Sequence, residues 1–439
     1  MTQTAEVSLW GRRIGAVLLD EGARATVFEY ERPFIASGVE PAPLQMPLGP
    51  RPYSFPALPT KTFKGLPGML ADSLPDRFGS EVLAAWLAKE GRDLGSISAI
   101  DRLCYMGTRG MGALEFSPGW GPNRTPDESI EISRLVELAS AVLDDRDGFQ
   151  TRLANGDEEK ALLDIISVGS SAGGARAKAV IAINRRTGEV RSGQVEASPG
   201  FEHWLLKFDG VRDWERLEDS EGYGAIEFAY AKMAAEAGVE MSECDLLEEN
   251  GRRHFMTRRF DRTADGKKLH MQSLGAIAHF DFERAGSYSY EQAFLVMRQL
   301  QMPKTAIEQQ FRRMAFNLVA RNQDDHVKNI AFLMDPEGRW SLSPAFDVTY
   351  SFRRSGGPTV RHQMTVNGKQ DEFTIADLES CAEAGLMKRG RAAAIVSEVH
   401  AAVERWPDHA AKVGVPSHDI ERIASVHRLD LKPGRSSSS

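Results

Sequence analysis

Cysteine is scarce in this sequence, and long apolar runs are missing. The three cysteines, Cys104, Cys244 and Cys381, lie far apart and form no Cys-x-x-Cys pair, which argues against a zinc ribbon or a redox dithiol. No stretch approaches the roughly 18 apolar residues that a membrane-spanning helix needs. Residues 1–7 carry neither the basic nor the apolar segment of a signal peptide. We therefore expect a cytoplasmic protein in a reducing compartment, without a membrane partner.

An excess of basic residues is also missing. The chain has 54 lysines and arginines against 62 aspartates and glutamates, which gives a net charge of −8. This balance disfavours duplex DNA as the main ligand. The 439 residues are 42% hydrophobic and 26% charged, as in an ordinary soluble globular protein. At about 150 residues per domain, the length predicts roughly three domain-sized units, or two with one of them large.

Changes in composition predict the order of these units. Short strand-like runs occupy residues 5–30, and a turn-rich stretch from Pro118 to Pro126 marks a first boundary. Helical periodicity dominates beyond about residue 285, with helices expected at 290–301, 306–321, 389–406 and 418–428. We expect a small mixed α/β domain over 1–125, a strand-rich segment over 126–265, a helix-rich segment over 266–431 and a disordered tail over 432–439.

The densest polar cluster lies at residues 322–329, after a predicted helix. Asp324 and Asn329 have the Asp-x-x-x-x-Asn spacing of a kinase catalytic loop, in which the Asp accepts the substrate hydroxyl proton and the Asn holds a magnesium ion. Asp347 follows where a metal-binding Asp would be expected, although Val348 and Thr349 replace the usual Phe-Gly. The apolar face predicted for the preceding helix consists of Ile307, Phe311, Met314 and Leu318.

The upstream half of the chain supplies the other parts of a kinase site. A loop rich in glycine and serine at 167–178 precedes a strand-like segment, so its backbone N–H groups could cover phosphates. The loop is not a Walker A motif, because no Gly-Lys-Ser/Thr occurs in it. Lys207, in an apolar strand, could reach the phosphates, and Glu227 on the next predicted helix could pair with it.

Six motifs follow one another along the chain: Leu74–Asp76, Ser171–Lys178, Leu205–Lys207, Arg258–Arg262, Asp324–Asn329 and Ser343–Asp347. In this order they resemble the HipA-type serine/threonine kinases, the toxin component of a bacterial toxin–antitoxin pair. The resemblance implies an α+β fold that is two-lobed and protein-kinase-like, with a small mixed N-terminal domain and a helix-rich C-lobe. It also implies ATP and Mg²⁺ as cofactors.

The resemblance further implies roles for the matching residues. Asp324 would be the catalytic base, and Asn329 and Asp347 would hold Mg²⁺. The family autophosphorylates a serine of its glycine-rich loop, which aligns with Ser171, with Ser170 as the alternative; the added negative charge would expel the loop from a site built for ATP. The implied nucleotide-binding residues are Gly173, Gly174, Ala175, Arg176, Ala177, Lys178, Lys207, Arg258, Arg259, Phe260, His326, Lys328, Asn329, Phe346 and Asp347.

Two positions depart from the family pattern. The residue after the catalytic Asp is often small in the family and is Asp325 here. The glycine-rich loop reads Gly-Gly-Ala-Arg-Ala-Lys instead of Ala-Gly-Ala-Gln-x-Lys. A second glycine run, at 107–112, mimics a phosphate loop, but it lacks a lysine and a following helix pattern and therefore indicates a turn or a bulged strand.

By resemblance, the substrate would be an aminoacyl-tRNA synthetase, with glutamyl-tRNA synthetase the first candidate, and its phosphorylation would arrest growth. The partner would be a small helix-turn-helix antitoxin, through which operator DNA would mainly be contacted. Two alternatives remain open. One is a small-molecule kinase of the aminoglycoside or choline type, and the other is a catalytically silent co-repressor.

Overall fold

The computed structural model describes residues 2–20, 22, 25–121, 129–144, 163–169, 176–194, 199–211 and 221–432. The chain forms two compact units. The first comprises Met1–Gly224, Asp245–Gln272 and Met334–Gly338, and the second comprises Ala225–Cys244, Ser273–Leu333 and Arg339–Ser439. Residues 170–175 of the predicted glycine-rich loop and residues 433–439 of the predicted tail lie outside the described residues.

The described residues contain both strands and helices. The strands are β1 Thr4–Leu9, β2 Arg12–Asp20, β3 Ala25–Tyr30, β4 Tyr53–Ser54, β5 Leu114–Ser117, β6 Lys178–Ile183, β7 Val190–Ser192, β8 Glu202–Lys207, β9 Cys244–Glu249, β10 Arg252–Arg258, β11 His270–Ser273, β12 Ala331–Met334 and β13 Trp340–Leu342. The helices are α1 Arg32–Ile35, α2 Thr60–Phe63, α3 Gly68–Ala71, α4 Arg77–Lys89, α5 Ala99–Met106, α6 Ile132–Asp144, α7 163–168, α8 Tyr223–Glu236, α9 Leu274–Ala278, α10 Tyr290–Gln299, α11 Lys304–Val319, α12 Ile375–Ala384, α13 Arg391–Glu404, α14 Trp406–Lys412 and α15 Ser417–Ala424. Within these described ranges, none of the helices is both long enough and apolar enough to cross a membrane.

The first unit begins with a five-stranded antiparallel sheet in the order β4-β3-β2-β1-β5. Alternate residues of β1, namely Ala5, Val7 and Leu9, are buried, because successive side chains of a strand point to opposite faces. Strand β5 pairs with the other edge of β1 and places Phe116 opposite Val7. The strand-like runs expected at 5–30 therefore form the centre of this sheet.

A second five-stranded sheet in the first unit has the order β7-β6-β8-β10-β9. One of its faces is apolar and packs in a core that also contains residues of α4 and α6. The pairing of β6 with β8 places Lys178 directly opposite Lys207, and the pairing of β8 with β10 places Lys207 opposite Phe255. Two predicted nucleotide-binding lysines are thus neighbours on adjacent strands.

Asp76 joins the start of α4 to the start of β6. Its Oδ1 atom accepts a hydrogen bond from the backbone N–H of Gly79 at 2.7 Å and so caps the helix. Its Oδ2 atom lies 3.8 Å from Nζ of Lys178, and both side chains are almost completely buried. Because a buried ammonium is costly without an opposite charge, this ion pair stabilises Lys178 in the interior.

The second unit is mainly helical. Its helix α11 has the predicted apolar face, since Ile307, Phe311, Met314 and Leu318 are all buried. The helix expected at 418–428 is shorter than predicted, because α15 ends at Ala424. Beyond it, the backbone N–H of Arg428 donates to the carbonyl of Val319 at 2.9 Å. A contact with a distant helix end therefore replaces the last helical turn.

We predict that Asp76→Asn lowers the free energy of unfolding by about 3 kcal/mol, because the amide keeps the helix cap but leaves Lys178 without its opposite charge. Urea unfolding followed by circular dichroism measures this change. The matched control is Asp93→Asn, which neutralises an exposed aspartate of the same unit. Adding Lys178→Met to Asp76→Asn should recover part of the loss, and equal stability of Asp76→Asn and the wild type would contradict the prediction.

Candidate active site

The loop that carries Asp324 begins where α11 ends. Arg321 has a left-handed backbone with φ 58°, which turns the chain out of the helix. The next residues then pair with a later segment: the N–H of Gln323 donates to the carbonyl of Ser351 at 3.0 Å, and the N–H of Ser351 donates to the carbonyl of Arg321 at 3.1 Å. The base of the loop is therefore tied to the stretch that follows Asp347.

The side chain of Asn329 folds back onto Asp324. Its Nδ2 atom donates to the backbone carbonyl of Asp324 at 2.7 Å, and its backbone N–H donates to the carbonyl of His326 at 2.8 Å. The Asp-x-x-x-x-Asn spacing thus becomes a closed turn in which the two predicted site residues are neighbours. Since the Asn329 nitrogen is used in this turn, its Oδ1 atom is the end that can face a cation.

The far end of the loop is held by α9. The N–H groups of Gly275 and Leu274 donate to the carbonyls of Val327 and Ile330 at 3.1 and 2.7 Å. The Val327 side chain is buried, whereas the flanking residues His326 and Lys328 are only partly buried. One buried apolar side chain therefore anchors the loop between its two polar neighbours.

Asp325 is completely buried and accepts three hydrogen bonds. Its Oδ2 atom lies 2.8 Å from the Tyr290 hydroxyl and 2.8 Å from Nδ1 of His362, and its Oδ1 atom accepts from the N–H of Gln363 at 2.8 Å. Burial pushes the pKa of Asp325 upward, but these partners, His362 first, stabilise the charged form more strongly and hold the pKa below its ordinary value. The carboxylate is thus ionised inside the protein.

This network continues to the segment after α15. Nη1 of Arg428 donates to Nε2 of His362 at 2.9 Å, which assigns the remaining ring proton to Nδ1 and the bond to Asp325. Arg428 also donates to the carbonyl of Leu318 at 2.7 Å and to Oε1 of Gln323 at 3.2 Å. The residues on both sides of Asp324, Gln323 and Asp325, are therefore connected to one arginine.

Asp347 has a left-handed backbone with φ 52°, which is uncommon for a residue other than glycine. Its carbonyl accepts from Nδ2 of Asn322 at 3.4 Å. Just before it, the N–H of Ala345 donates to the carbonyl of Glu240 at 2.8 Å, and Nη2 of the buried Arg313 donates to the carbonyl of Ser343. The structure therefore brings the Asp347 segment and the loop that carries Asp324 together through the Asn322 side chain.

The residues that follow Asp324 in the loop contact an aromatic ring. His326 packs against the Phe282 ring at 5.8 Å between centroids, and Nζ of Lys328 lies 4.9 Å above the same ring. Nδ1 of His326 and Oδ1 of Asn322 are buried without a hydrogen-bond partner among the described residues. Phe346 is half-buried beside Asp347 in the sequence. A buried polar atom without a partner in a native protein calls for an explanation, such as a catalytic role or an ordered water or ion.

The first unit holds the other predicted nucleotide-binding residues that the structure describes. Lys207 is buried, with Nζ 5.6 Å from the centre of the Phe255 ring. Arg176 stacks on the Tyr223 ring at 4.1 Å, and the carbonyl of Ala177 accepts from the N–H of Phe208 at 3.1 Å. Gly173, Gly174, Ala175, Ser170 and Ser171 lie outside the described residues.

Arg258 and Arg259 occupy different environments. Arg258 lies at the partly exposed end of β10, and its Nη1 atom is 3.9 Å from the carboxylate of Glu202 at the start of β8. Arg259 is buried and forms two bonds of 2.9 and 2.7 Å with Asp261. The guanidinium of Arg259 is therefore engaged in holding the segment that also contains Phe260.

Asp261 is the centre of that segment and was not recognised in the sequence as a functional residue. Besides Arg259, it accepts from Arg262 at 2.8 Å and from the N–H of Gly112 at 2.7 Å. Burial raises the pKa of Asp261, but Arg259 and Arg262 outweigh burial and hold it far below its usual range. The glycine run at 107–112 thus supplies a backbone contact to the segment that holds the predicted nucleotide-binding residues 258–260. A Cβ at Gly112 would lie 3.1 Å from the backbone of Met271, and its φ of 76° also favours glycine.

Glu227 is buried in α8 and belongs to the second unit. Its pairing with Lys207 stays a prediction. Among the described residues, no group of three or more His, Cys, Asp or Glu side chains is arranged to hold a metal ion. Asn329 and Asp347 alone would not form such a group, and Mg²⁺ in nucleotide sites usually takes its other ligands from phosphates and water.

We predict that Asp325→Asn lowers the free energy of unfolding by about 3 kcal/mol at neutral pH, because it removes a buried charge from a network built around it. The pH dependence has a definite sign. The folded-state pKa of Asp325 is depressed, so its contribution is complete above the ordinary value of 3.8 and disappears as the pH falls through the folded-state pKa.

Urea unfolding of the wild type and Asp325→Asn between pH 3 and 8 tests this prediction. Their difference in stability should stay constant from pH 8 to about pH 5 and shrink below about pH 4. Glu379→Gln, at an exposed position of the same unit, is the control and should show neither effect. A difference that grows on acidification would contradict the assignment of an ionised Asp325.

Comparison with known proteins gives two family matches. The model described as the HipA-like C-terminal domain matches residues 170–406, and the model of the HipA N-terminal domain matches residues 5–117. Among curated proteins, "Putative kinase Y4mE" of Sinorhizobium fredii is 28% identical over 126 residues. That match covers 27% of this chain and 30% of the relative's length.

Solved structures include one that is similar to nearly the whole chain. A chain from the Shewanella oneidensis MR-1 toxin–antitoxin complex of HipA, HipB and operator DNA superposes with a TM-score of 0.64 at 15% identity and with 96% of both chains covered. The Helicobacter pylori proinflammatory kinase CtkA gives a TM-score of 0.35 at 13% identity, over 52% of this chain and 89% of that chain. The expected α+β, HipA-like fold is confirmed by the first of these. Since the C-terminal family model alone spans more than half of the sequence, the chain belongs to the HipA family.

Proposed function

We propose that this HipA-family protein is an ATP- and Mg²⁺-dependent kinase that phosphorylates serine or threonine hydroxyls of proteins. The observation that carries the proposal is the closed turn in which Asn329 Nδ2 bonds the Asp324 carbonyl at 2.7 Å. In the proposed site, the Asp324 carboxylate would accept a proton, and the Asn329 amide oxygen, held in the same turn, would face a cation. Kinase catalytic loops need both groups at this spacing.

Asp324 would orient the acceptor hydroxyl and take its proton. As the acceptor oxygen bonds to the γ-phosphorus of ATP, the bond from that phosphorus to the bridging oxygen breaks, and ADP leaves with the electron pair. Asp324 is half-buried and is held on both sides, by the contacts of Gln323 and of Asp325. Catalysis would therefore rest mainly on positioning and on preorganised charge.

The residues present fit a magnesium site. Asn329 Oδ1 and the Asp347 carboxylate would be the protein ligands, and the unpaired atoms of Asn322 and His326 indicate polar groups that a hydrated ligand could satisfy. When bound, the metal would neutralise charge that develops on the transferred phosphoryl group. Lys178 and Lys207 would add positive charge at the nucleotide phosphates, with Arg258, Phe260, Lys328 and Phe346 as further contacts.

Autophosphorylation at Ser171, or at Ser170, would switch the enzyme off. A phosphoserine adds nearly two negative charges at neutral pH. Such a group in a loop meant to cover ATP would repel the nucleotide phosphates. The loop would then leave the site, and transfer to other proteins would stop.

The biological partners are proposed from the family and its solved relative. A small helix-turn-helix antitoxin would bind the chain and carry most of the contacts to operator DNA, in keeping with the acidic net charge of −8. The protein substrate would be an aminoacyl-tRNA synthetase, with glutamyl-tRNA synthetase tested first. Its phosphorylation would inhibit translation and arrest growth.

Two other functions use the same fold. A small-molecule kinase would turn over ATP with an alcohol of the aminoglycoside or choline type and would label no protein. A silent co-repressor would form the antitoxin–DNA complex equally well with and without Asp324. The closed Asp324–Asn329 turn favours an active enzyme over the latter.

We predict that Asp324→Asn reduces protein phosphorylation at least about 100-fold, because the transition state loses its general base. The assay is incubation with γ-labelled ATP and Mg²⁺, followed by mass spectrometry of residues 160–180. The control is Glu379→Gln, which should label like the wild type. The intact mass is recorded before ATP is added, so that a sample already phosphorylated is recognised.

Label on Ser171 or Ser170 that disappears in Asp324→Asn supports the proposal. ATP turnover that depends on a small alcohol, without labelled protein, would instead identify the small-molecule kinase. Equal labelling of Asp324→Asn and the wild type would contradict the role of Asp324.

A further inference from the structure

We propose that the segment 351–361, and Arg361 above all, is a docking surface for an acidic peptide of the protein that accepts the phosphate. This inference rests on the proposed function, since it names the class of acceptor for the same site. It starts from the charge of the segment. No aspartate or glutamate occurs between Asp347 and Asp371, whereas the chain as a whole has a net charge of −8.

The segment is held against both residues that flank Asp324. On one side, Nε2 of Gln323 donates to the carbonyl of Thr359 at 3.1 Å. On the other side, the N–H of Gln363 donates to Oδ1 of Asp325 at 2.8 Å. Arg361 lies midway between these two anchor points. Its backbone position is therefore determined by the same contacts that position Asp324.

The direction of the side chains follows from the backbone. Arg361 is extended, with φ −134° and ψ 162°, so it and His362 project to opposite sides. His362 points inward, since it is buried and bonded to Asp325, and Arg361 is exposed. Asp324 is in turn the less buried neighbour of Asp325. Asp325 and His362 are thus bonded to each other in the interior. Each has a less buried neighbour in the sequence, which is the Asp324 carboxylate in one case and the Arg361 guanidinium in the other.

The charge of Arg361 is not cancelled locally. Within the described part of the chain, neither Arg361 nor the exposed Arg354 forms an ion pair. Arg353 also belongs to the segment, and the nearby Lys369 is paired with Asp377 at 2.7 Å. Two uncompensated guanidinium groups on an exposed loop favour a partner with negative charge.

The distance between Asp324 and Arg361 determines where the acceptor peptide should carry its negative charge. Asp325 and His362 bond each other and lie between Asp324 and Arg361. The Cα atoms of Asp324 and Arg361 are therefore on the order of 10–15 Å apart. An extended peptide covers about 3.3 Å per residue. An acceptor serine at Asp324 would therefore place its third or fourth neighbour at Arg361. We infer a preference for glutamate or aspartate at that distance from the acceptor.

The test compares two fluorescein-labelled peptides that each contain one serine. At the positions three and four residues before and after the serine, one peptide has Glu and the other has Lys, and the peptides are otherwise identical. Binding is measured by fluorescence anisotropy with a non-hydrolysable ATP analogue, and transfer is measured with γ-labelled ATP. The wild type should favour the Glu peptide in both assays, by about tenfold at low salt, and the preference should shrink in 1 M salt, where charges are screened within about 3 Å. Arg361→Glu should reverse the preference, and Arg361→Gln should abolish it.

Arg389→Glu is the matched control, because it changes an exposed arginine of the same unit outside the segment and should leave the preference intact. A Glu preference in binding that survives Arg361→Glu, or no preference in the wild type, would overturn the inference. Loss of binding to a labelled tRNA-sized RNA in Arg361→Glu, with unchanged peptide preference, would assign the surface to nucleic acid instead. A reversed binding preference without any phosphate transfer would support the docking surface and refute the proposed kinase.

Discussion

The shape of the candidate catalytic loop depends on one buried charge. The Asp325 carboxylate has no contact with solvent and is satisfied by a hydroxyl at the start of α10 and by an imidazole and a backbone N–H from residues 362–363 of the second unit. A charge in such a place is stable only when all of its partners are present, because leaving it unpaired costs several kcal/mol. The same requirement therefore fixes the loop, the start of α10 and the segment around His362 in one arrangement. Asp324 takes its position from this arrangement without making these bonds itself.

The first unit uses the same principle twice. Asp76 places an opposite charge beside the buried Lys178, and Asp261 engages Arg259 and Arg262 while accepting the backbone N–H of Gly112. Asp76 thus joins the start of α4 to Lys178, and Asp261 joins the glycine run to Arg259. The family resemblance implies that both Lys178 and Arg259 bind the nucleotide. The start of α4 and the glycine run are thus connected to the second sheet and the segment after β10 by ion pairs and backbone bonds, and α4 also packs in the apolar core of that sheet.

The sequence was informative wherever the signal is local. The spacing of Asp324 and Asn329 is a short-range pattern, and it became a short-range hydrogen bond. The apolar face of α11 followed from helical periodicity in the same way. Asp325 carried no such signal and was noted only as a departure, since its partners are remote in sequence. The end of α15 was mispredicted for the same reason, because a bond between Arg428 and Val319 replaces the last turn. The roles of residues 170–175 stay predictions, since those residues lie outside the described part of the chain.

The position of Arg428 limits how far the C-terminus of this protein can be truncated without loss of contacts to the loop that carries Asp324. The matched C-terminal family model ends at residue 406, whereas Arg428 bonds His362, Gln323 and the end of α11. A protein that ended at residue 406 would keep every residue of the kinase motifs. It would lose Arg428 and therefore the hydrogen bonds of Arg428 to His362 and Gln323. The functional boundary of the domain is therefore set by the last residue that bonds the catalytic loop, and it lies more than one helix beyond the boundary that family likeness alone would suggest.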